Sequence, residues 1–173
     1  LDRKNRKAAA LAEVAYTAAQ DWTAVARVQQ TMLLDLSAKE ERVAAGLRLG
    51  RTCARKLNDP ARAIEAYQMV LDMQPGEHQA MSFLAEAFSA AEQWDALAAL
   101  YEDQLKGGGV KPGEELGMLI QIGMVHWRMR NAPAEAEVYF SRLRKIDPAH
   151  PGMLAFYREY LGEQQEQSGK LMN

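Results

Sequence analysis

The 173-residue chain has one cysteine, three histidines and no long apolar run. Because Cys53 has no partner, an internal disulfide framework is excluded. No stretch approaches about 18 consecutive apolar residues, so the sequence predicts no membrane span. The net charge of −2 argues against general nucleic-acid binding, which usually needs a clear basic excess.

Groups that carry catalysis or bind metals are equally sparse. His78, His126 and His150 are far apart and have no cysteine partner, so the sequence predicts neither a metal site nor another cofactor. We interpret His126 as a satisfied structural or surface histidine and His150 as a helix cap. The glycine run 107–109 lacks the Gly-Lys-Ser/Thr ending of a phosphate loop and is typical of a flexible linker. We expect no enzyme activity.

What the chain does contain is an internal repeat. Ten-residue stretches with one layout begin two residues before Pro60, Trp94 and Pro133, and Trp22 occupies the equivalent place before them. These anchors are 38, 34 and 39 residues apart (60 − 22, 94 − 60, 133 − 94). Self-similarity at this period predicts stacked supersecondary units that bury a continuous core together.

Between the anchors the apolar residues recur at steps of three and four, which predicts helices throughout. Asp59-Pro60 is a helix start, Ser37 and Glu40 fit a capping box, and Pro75 and Pro148 follow helix ends. The predicted helices are 5–19, 22–35, 38–57, 60–73, 78–91, 94–106, 115–130, 133–146 and 151–165.

This layout resembles the tetratricopeptide repeat, a pair of helices about 34 residues long with small and large packing positions in a fixed order. The resemblance implies an all-α, right-handed superhelix over residues 1–165, with repeats at about 6–36, 44–77, 78–111 and 117–150. A closing helix at 151–165 and a flexible tail at 166–173 complete the prediction. Carried onto this sequence, one large packing position falls on Tyr67, Tyr101 and Phe140, which we expect to be buried, as we do Trp22, Trp94 and Trp127.

The resemblance also implies a non-catalytic scaffold that binds a peptide or helix of a protein partner in its concave groove. The alternative is a structural spacer that stacks on further repeats or self-associates. The family's groove positions fall on these partner-binding candidates: Arg48, Thr52, Arg55, Lys56, Gln79, Ser82, Glu86, Gln121, Val125 and Arg128.

Arg48, Arg55 and Lys56 share one helix face, with Arg51 nearby, and form the densest basic cluster in the chain. This cluster is either a solvated surface or a patch that recognises an acidic peptide. The chain begins at Leu1, and we expect it to be a piece of a longer protein. The sequence leaves the cellular compartment open, with the cytoplasm favoured.

Overall fold

The computed structural model describes residues 3–108, 110 and 113–171, with side chains described over 5–108, 110 and 113–162. Gly109, within the predicted linker, lies outside the described residues. The described part of the chain is all-α, and strands are absent from it. Its helices are α1 Arg3–Ala18, α2 Trp22–Asp35, α3 Lys39–Thr52, α4 Pro60–Met73, α5 His78–Ala90, α6 Trp94–Lys106, α7 Glu115–Met124, α8 Pro133–Ile146 and α9 Pro151–Leu171.

Three of the predicted helices differ from the structure near their C-terminal ends. The segments predicted as single helices over 38–57 and 115–130 close in π-helical turns, Cys53–Leu57 and Val125–Met129. In the first turn the backbone N–H of Asp59 donates to the carbonyl of Cys53 at 2.9 Å, a wider span than an α-helical turn. At the other end of the chain, α9 continues to Leu171 instead of ending at 165.

The predicted start of α4 is confirmed, and the predicted capping box is wrong. The Asp59 Oδ1 atom accepts a hydrogen bond from the Arg62 N–H at 3.1 Å, and Pro60 is the first helical residue. Helix α3 instead begins after Ala38, which has no side chain able to accept such a bond. Ser37 therefore lies one residue too early to cap it.

The repeat is clearest in the backbone torsion angles. Gln20, Asn58, Glu92 and Asn131 have positive φ angles of 57°, 50°, 53° and 50°. Each lies two residues before a sequence anchor, at the turn that joins two helices. A left-handed residue at this point ends one helix and lets the chain reverse into the next. The same turn thus recurs four times in the described part of the chain.

The chain divides into two compact units, Leu1–Ala91 and Glu92–Asn173. Helices α1 to α5 belong to the first unit and α6 to α9 to the second. Within each unit, every helix packs against the one that follows it. This sequential packing is the arrangement expected of helical repeats, in which each element contacts its neighbours rather than a central core.

In both units a glycine lets an aromatic ring approach the helix backbone. A Cβ atom added at Gly50 would lie 2.5 Å from the Tyr67 ring, and one added at Gly123 would lie 2.8 Å from the Phe140 ring. Tyr67 and Phe140 are buried, as predicted. No larger residue fits at either glycine unless the ring moves.

The third aromatic of the series, Tyr101, is only half-buried, so full burial is wrong for this residue. The buried stripe of α6 runs through Leu97, Leu100 and Gln104, and Tyr101 lies at its edge. Burial still raises the pKa of the Tyr101 hydroxyl. Among the tryptophans, Trp127 is buried as predicted, whereas Trp22 and Trp94 are half-buried.

Candidate functional site

The first unit contains a groove of about 490 Å³ between the π-helical turn after α3 and one face of α5. We call it the α5 groove. Four of its lining residues follow the steps i, i+3, i+4 and i+7 along α5, so they form a single stripe on that helix. The lining residues are Ala54, Arg55, Tyr67, His78, Gln79, Ser82, Phe83 and Glu86.

Gln79 fixes the floor of the α5 groove. Its Oε1 atom accepts a hydrogen bond from Arg51 Nη1 at 3.0 Å, and its Nε2 atom donates to the Tyr67 hydroxyl at 2.9 Å. Both ends of the amide are therefore engaged, and the side chain links three helical segments. The Arg51 side chain is exposed to solvent and donates this hydrogen bond from α3.

The basic cluster predicted from the sequence is divided by the fold. Arg48 forms an ion pair with Glu13 at 3.0 Å, and the Lys56 ammonium lies 4.7 Å from the centre of the Trp22 ring. Arg51 is held by Gln79, as described above. Arg55 is exposed, has no ion pair within the described part of the chain, and lines the α5 groove. Of the four cations, Arg55 is therefore the one best placed to meet an anionic group in that groove.

The remaining predicted groove residues are distributed over both units. Thr52 and Val125 are buried, each with 8% of its surface exposed. Gln121 and Arg128 are exposed in the second unit. The Arg128 guanidinium lies 3.4 Å from the centre of the Trp127 ring and forms an ion pair with Glu159 of α9. Four predicted residues, Arg55, Gln79, Ser82 and Glu86, come together in the α5 groove.

Sequence reasoning missed the aromatic wall of this groove. Phe83 is half-buried, and its ring centre lies 4.7 Å from that of Tyr67, which contacts the groove from α4. The sequence spacing could have indicated this residue, because Phe83 is four residues after Gln79 and therefore on the same face of α5. The groove combines this apolar wall with polar groups at its rim, which is the composition usual in a binding site.

In the second unit a polar network surrounds His126, which is buried and satisfied as predicted. Its Nδ1 atom lies 2.6 Å from Arg130 Nη1, and its Nε2 atom lies 2.8 Å from Glu102. Because a guanidinium only donates, Nδ1 accepts and Nε2–H donates to the carboxylate. Arg130 also donates to Asp95 at 2.6 Å, and the Tyr139 ring stacks on the imidazole with centres 5.4 Å apart.

The pKa shifts of Glu102 and Tyr139 favour a structural role for this network. Burial alone would raise the pKa of Glu102, but hydrogen bonds from His126 and Tyr139 bring it below its ordinary value. Burial and the hydrogen bond to Glu102 raise the pKa of Tyr139 to about 12. At neutral pH Glu102 is therefore ionised and Tyr139 is protonated, so the phenol can donate its hydrogen bond to the carboxylate.

Cys53 and the possible metal ligands form no reactive or metal-binding site within the described residues. Burial raises the pKa of the Cys53 thiol, which is fully enclosed, so its interpretation as a plain buried cysteine is confirmed. Across the described ranges, no group of three or more His, Cys, Asp or Glu side chains is placed to hold a metal ion. None of the helices described combines the length and apolar character that crossing a bilayer requires.

Comparison with known proteins agrees with the architecture. Residues 80–114 match a family model described as tetratricopeptide repeat. No curated protein gives a significant match to the chain. This match, the consecutive helices and the repeated turn together fit a tetratricopeptide-like repeat protein. Repeats of this family are generally non-catalytic modules that bind other proteins.

Proposed function

We propose that this protein is a non-catalytic scaffold that binds a peptide segment of a protein partner in the α5 groove. The observation that carries the proposal is the meeting of Arg55 with Gln79, Ser82 and Glu86 beside the Phe83 ring. Three segments distant in sequence build this surface, so its shape is fixed by packing rather than by one flexible loop. Fixed surfaces of this kind bind peptides at a low entropic cost.

The groove chemistry favours a particular kind of peptide. Arg55 offers up to five N–H donors in a planar fork, which matches a carboxylate from the partner. Phe83 offers an apolar surface for an aliphatic or aromatic side chain. Glu86 at the other end of the α5 stripe disfavours a second acidic group there. The preferred segment therefore carries one acidic residue followed or preceded by an apolar one.

The test is selection of linear peptides from a phage-displayed random library on the whole chain, followed by binding measurements on the selected peptides. Arg55→Glu should weaken binding about tenfold or more, because it replaces an attraction with a repulsion. The matched control is Arg27→Glu on α2, which is also exposed and does not line the groove. Equal affinity for both variants would remove the α5 groove from consideration.

A specific observation favours a second function, that of a spacer that stacks on further helical repeats. On α1, Leu11 and Val14 lie on one face and are 71% and 67% exposed. Exposed apolar faces of this kind commonly mark protein contacts. The double variant Leu11→Glu with Val14→Glu should leave peptide binding unchanged under the scaffold proposal. Under the spacer proposal it should abolish association with a partner while Arg55→Glu has no effect.

A further inference from the structure

A second, larger cleft of about 600 Å³ lies in the first unit, between α1 and α3. We call it the α1/α3 cleft. Its floor is formed by Met32 of α2 and by Leu36, which directly follows that helix; both are buried, and they are four residues apart. Two small side chains, Ala10 on α1 and Ala44 on α3, line it at the level of its mouth. Since alanine fills little space, these two positions keep the space above the apolar floor open.

Two ion pairs frame the mouth of the cleft. The Arg6 Nη1 atom lies 2.8 Å and 3.0 Å from the two carboxylate oxygens of Glu41. Glu13 accepts from Arg48 at 3.0 Å. On each helix the two bridging residues are seven positions apart (13 − 6 and 48 − 41), which corresponds to roughly 10 Å at about 1.5 Å per residue. Ala10 and Ala44 lie between the two bridges.

These two ion pairs limit which molecules can enter the α1/α3 cleft. An extended peptide advances about 3.3 Å per residue, so only about three of its residues would fit between the bridges. A longer peptide lying along the cleft would have to break at least one ion pair. A single unbranched chain entering end-on meets no such barrier and can reach Met32 and Leu36.

The rim of the α1/α3 cleft carries more positive than negative charge. Arg6, Lys7 and Arg48 face two carboxylates, Glu13 and Glu41, which gives a net charge of +1 (3 − 2). Among the described residues, Arg6 contacts Glu41 through Nη1 alone, and its buried Nε atom has no hydrogen-bond partner there. Within the described side chains, Lys7 makes no ion pair. The ammonium group of Lys7, which is exposed and lines the cleft, therefore remains available to an added anion.

We propose that the α1/α3 cleft binds a small aliphatic carboxylate, with its chain on Met32 and Leu36 and its carboxylate at Arg6 and Lys7. The volume of the cleft is in the range of small-molecule sites. This site is separate from the α5 groove, because the two have no lining residue in common. Its occupancy is therefore independent of whether the α5 groove binds a peptide.

The test is calorimetric titration of the whole chain with sodium octanoate, with octanol as the uncharged probe of the same chain length. Octanoate should bind with one site per chain and about tenfold or more tightly than octanol, because the alcohol cannot form the charge-assisted contact. Lys7→Glu should weaken octanoate binding without changing octanol binding. The matched control is Lys39→Glu, another exposed lysine that does not line the cleft.

A second pair of variants tests the place of binding without disturbing the core. Ala44→Phe should fill the cleft and abolish octanoate binding, and Ala15→Phe on the exposed surface of α1 should leave it unchanged. Circular dichroism of both variants should match that of the parent. The proposal is overturned if octanoate does not bind at millimolar concentration, if octanol binds equally well, or if Ala44→Phe binds octanoate normally. Displacement of octanoate by the peptides selected on the α5 groove would also contradict two separate sites.

Discussion

The packing of Phe140 against Gly123 makes a sharp prediction about a single methyl group. An alanine Cβ atom at Gly123 would lie 2.8 Å from the Phe140 Cζ atom and 3.0 Å from the two Cε atoms. Favourable carbon–carbon contacts are about 3.5–4.0 Å. The ring would have to retreat by roughly 0.7 Å or more, yet it is fully buried and already contacts Trp127 and Phe156. Gly123→Ala should therefore overpack this core.

The same helix supplies a control for this change. Gly117 also lies in α7, and nothing lies within 4 Å of a Cβ atom added there. Glycine to alanine in a helix stabilises by roughly 0.5–1 kcal/mol, and this gain applies to both variants. Their difference in free energy of unfolding therefore isolates the overpacking cost, which is about 1–3 kcal/mol.

Urea denaturation followed by circular dichroism measures both variants under one set of conditions. Gly117→Ala should be as stable as the parent or more stable, and Gly123→Ala should be less stable than Gly117→Ala by the amount above. A double-mutant cycle with Phe140→Leu should show coupling of at least about 0.5 kcal/mol, because the shorter side chain leaves room for the methyl group. If Gly123→Ala is as stable as Gly117→Ala, or if the cycle is additive, the ring does not pack on this glycine.

Three further predictions follow from individual contacts. The pKa of Tyr139 is raised from 10.0 to about 12, first by burial and then by its hydrogen bond to Glu102, so the stability that depends on the protonated phenol is fully present below about pH 10 and is lost as the pH rises through 12. Melting temperatures between pH 8 and pH 12 should fall less steeply for Tyr139→Phe; identical slopes would contradict the raised pKa. Arg48→Glu should lower the melting temperature because it places two carboxylates together at Glu13, and Arg48→Met should be milder; equal melting of the two would argue against the ion pair. Asp59→Ala should cost about 1 kcal/mol in urea denaturation because α4 loses its cap, and no change would show that the cap is dispensable.

The helices could be predicted from the sequence because the signals that fix them are local. Pro60 and Pro133 mark helix starts, and the apolar steps of three and four mark helix faces, so most helix limits agree with the structure. The π-helical turn at Cys53–Leu57 could not be predicted in this way. An apolar stripe looks the same whether the last turn has α or π hydrogen bonding.

The candidate site was harder to predict because contacts with residues distant in sequence determine which side chains remain available in the groove. The basic cluster looked continuous along α3, but Arg48 is held by Glu13, 35 residues earlier, and Arg51 by Gln79, 28 residues later. Of the four cations, Arg55 lines the α5 groove and has no ion pair among the described residues. Four of the ten residues predicted from family positions line the α5 groove, and the packing of side chains decides which of them stay exposed.

This result also changes how the groove is best tested. A charge reversal at Arg48 would disturb the ion pair with Glu13 and lower stability, so loss of binding in that variant would be ambiguous. Arg55 lacks such a partner within the described part of the chain and can be reversed without breaking a described contact. Arg55→Glu is therefore the informative substitution.

Hydrogen–deuterium exchange of the whole chain, with and without a library-selected peptide, tests the central claim most directly. If the α5 groove binds the peptide, exchange should slow over residues 53–57 and 78–86, which supply most of the groove lining. Exchange in the outer face of α1 around Leu11 and Val14 should not change. Slowed exchange at α1 with unchanged exchange at α5 would contradict the scaffold proposal and favour the stacking spacer.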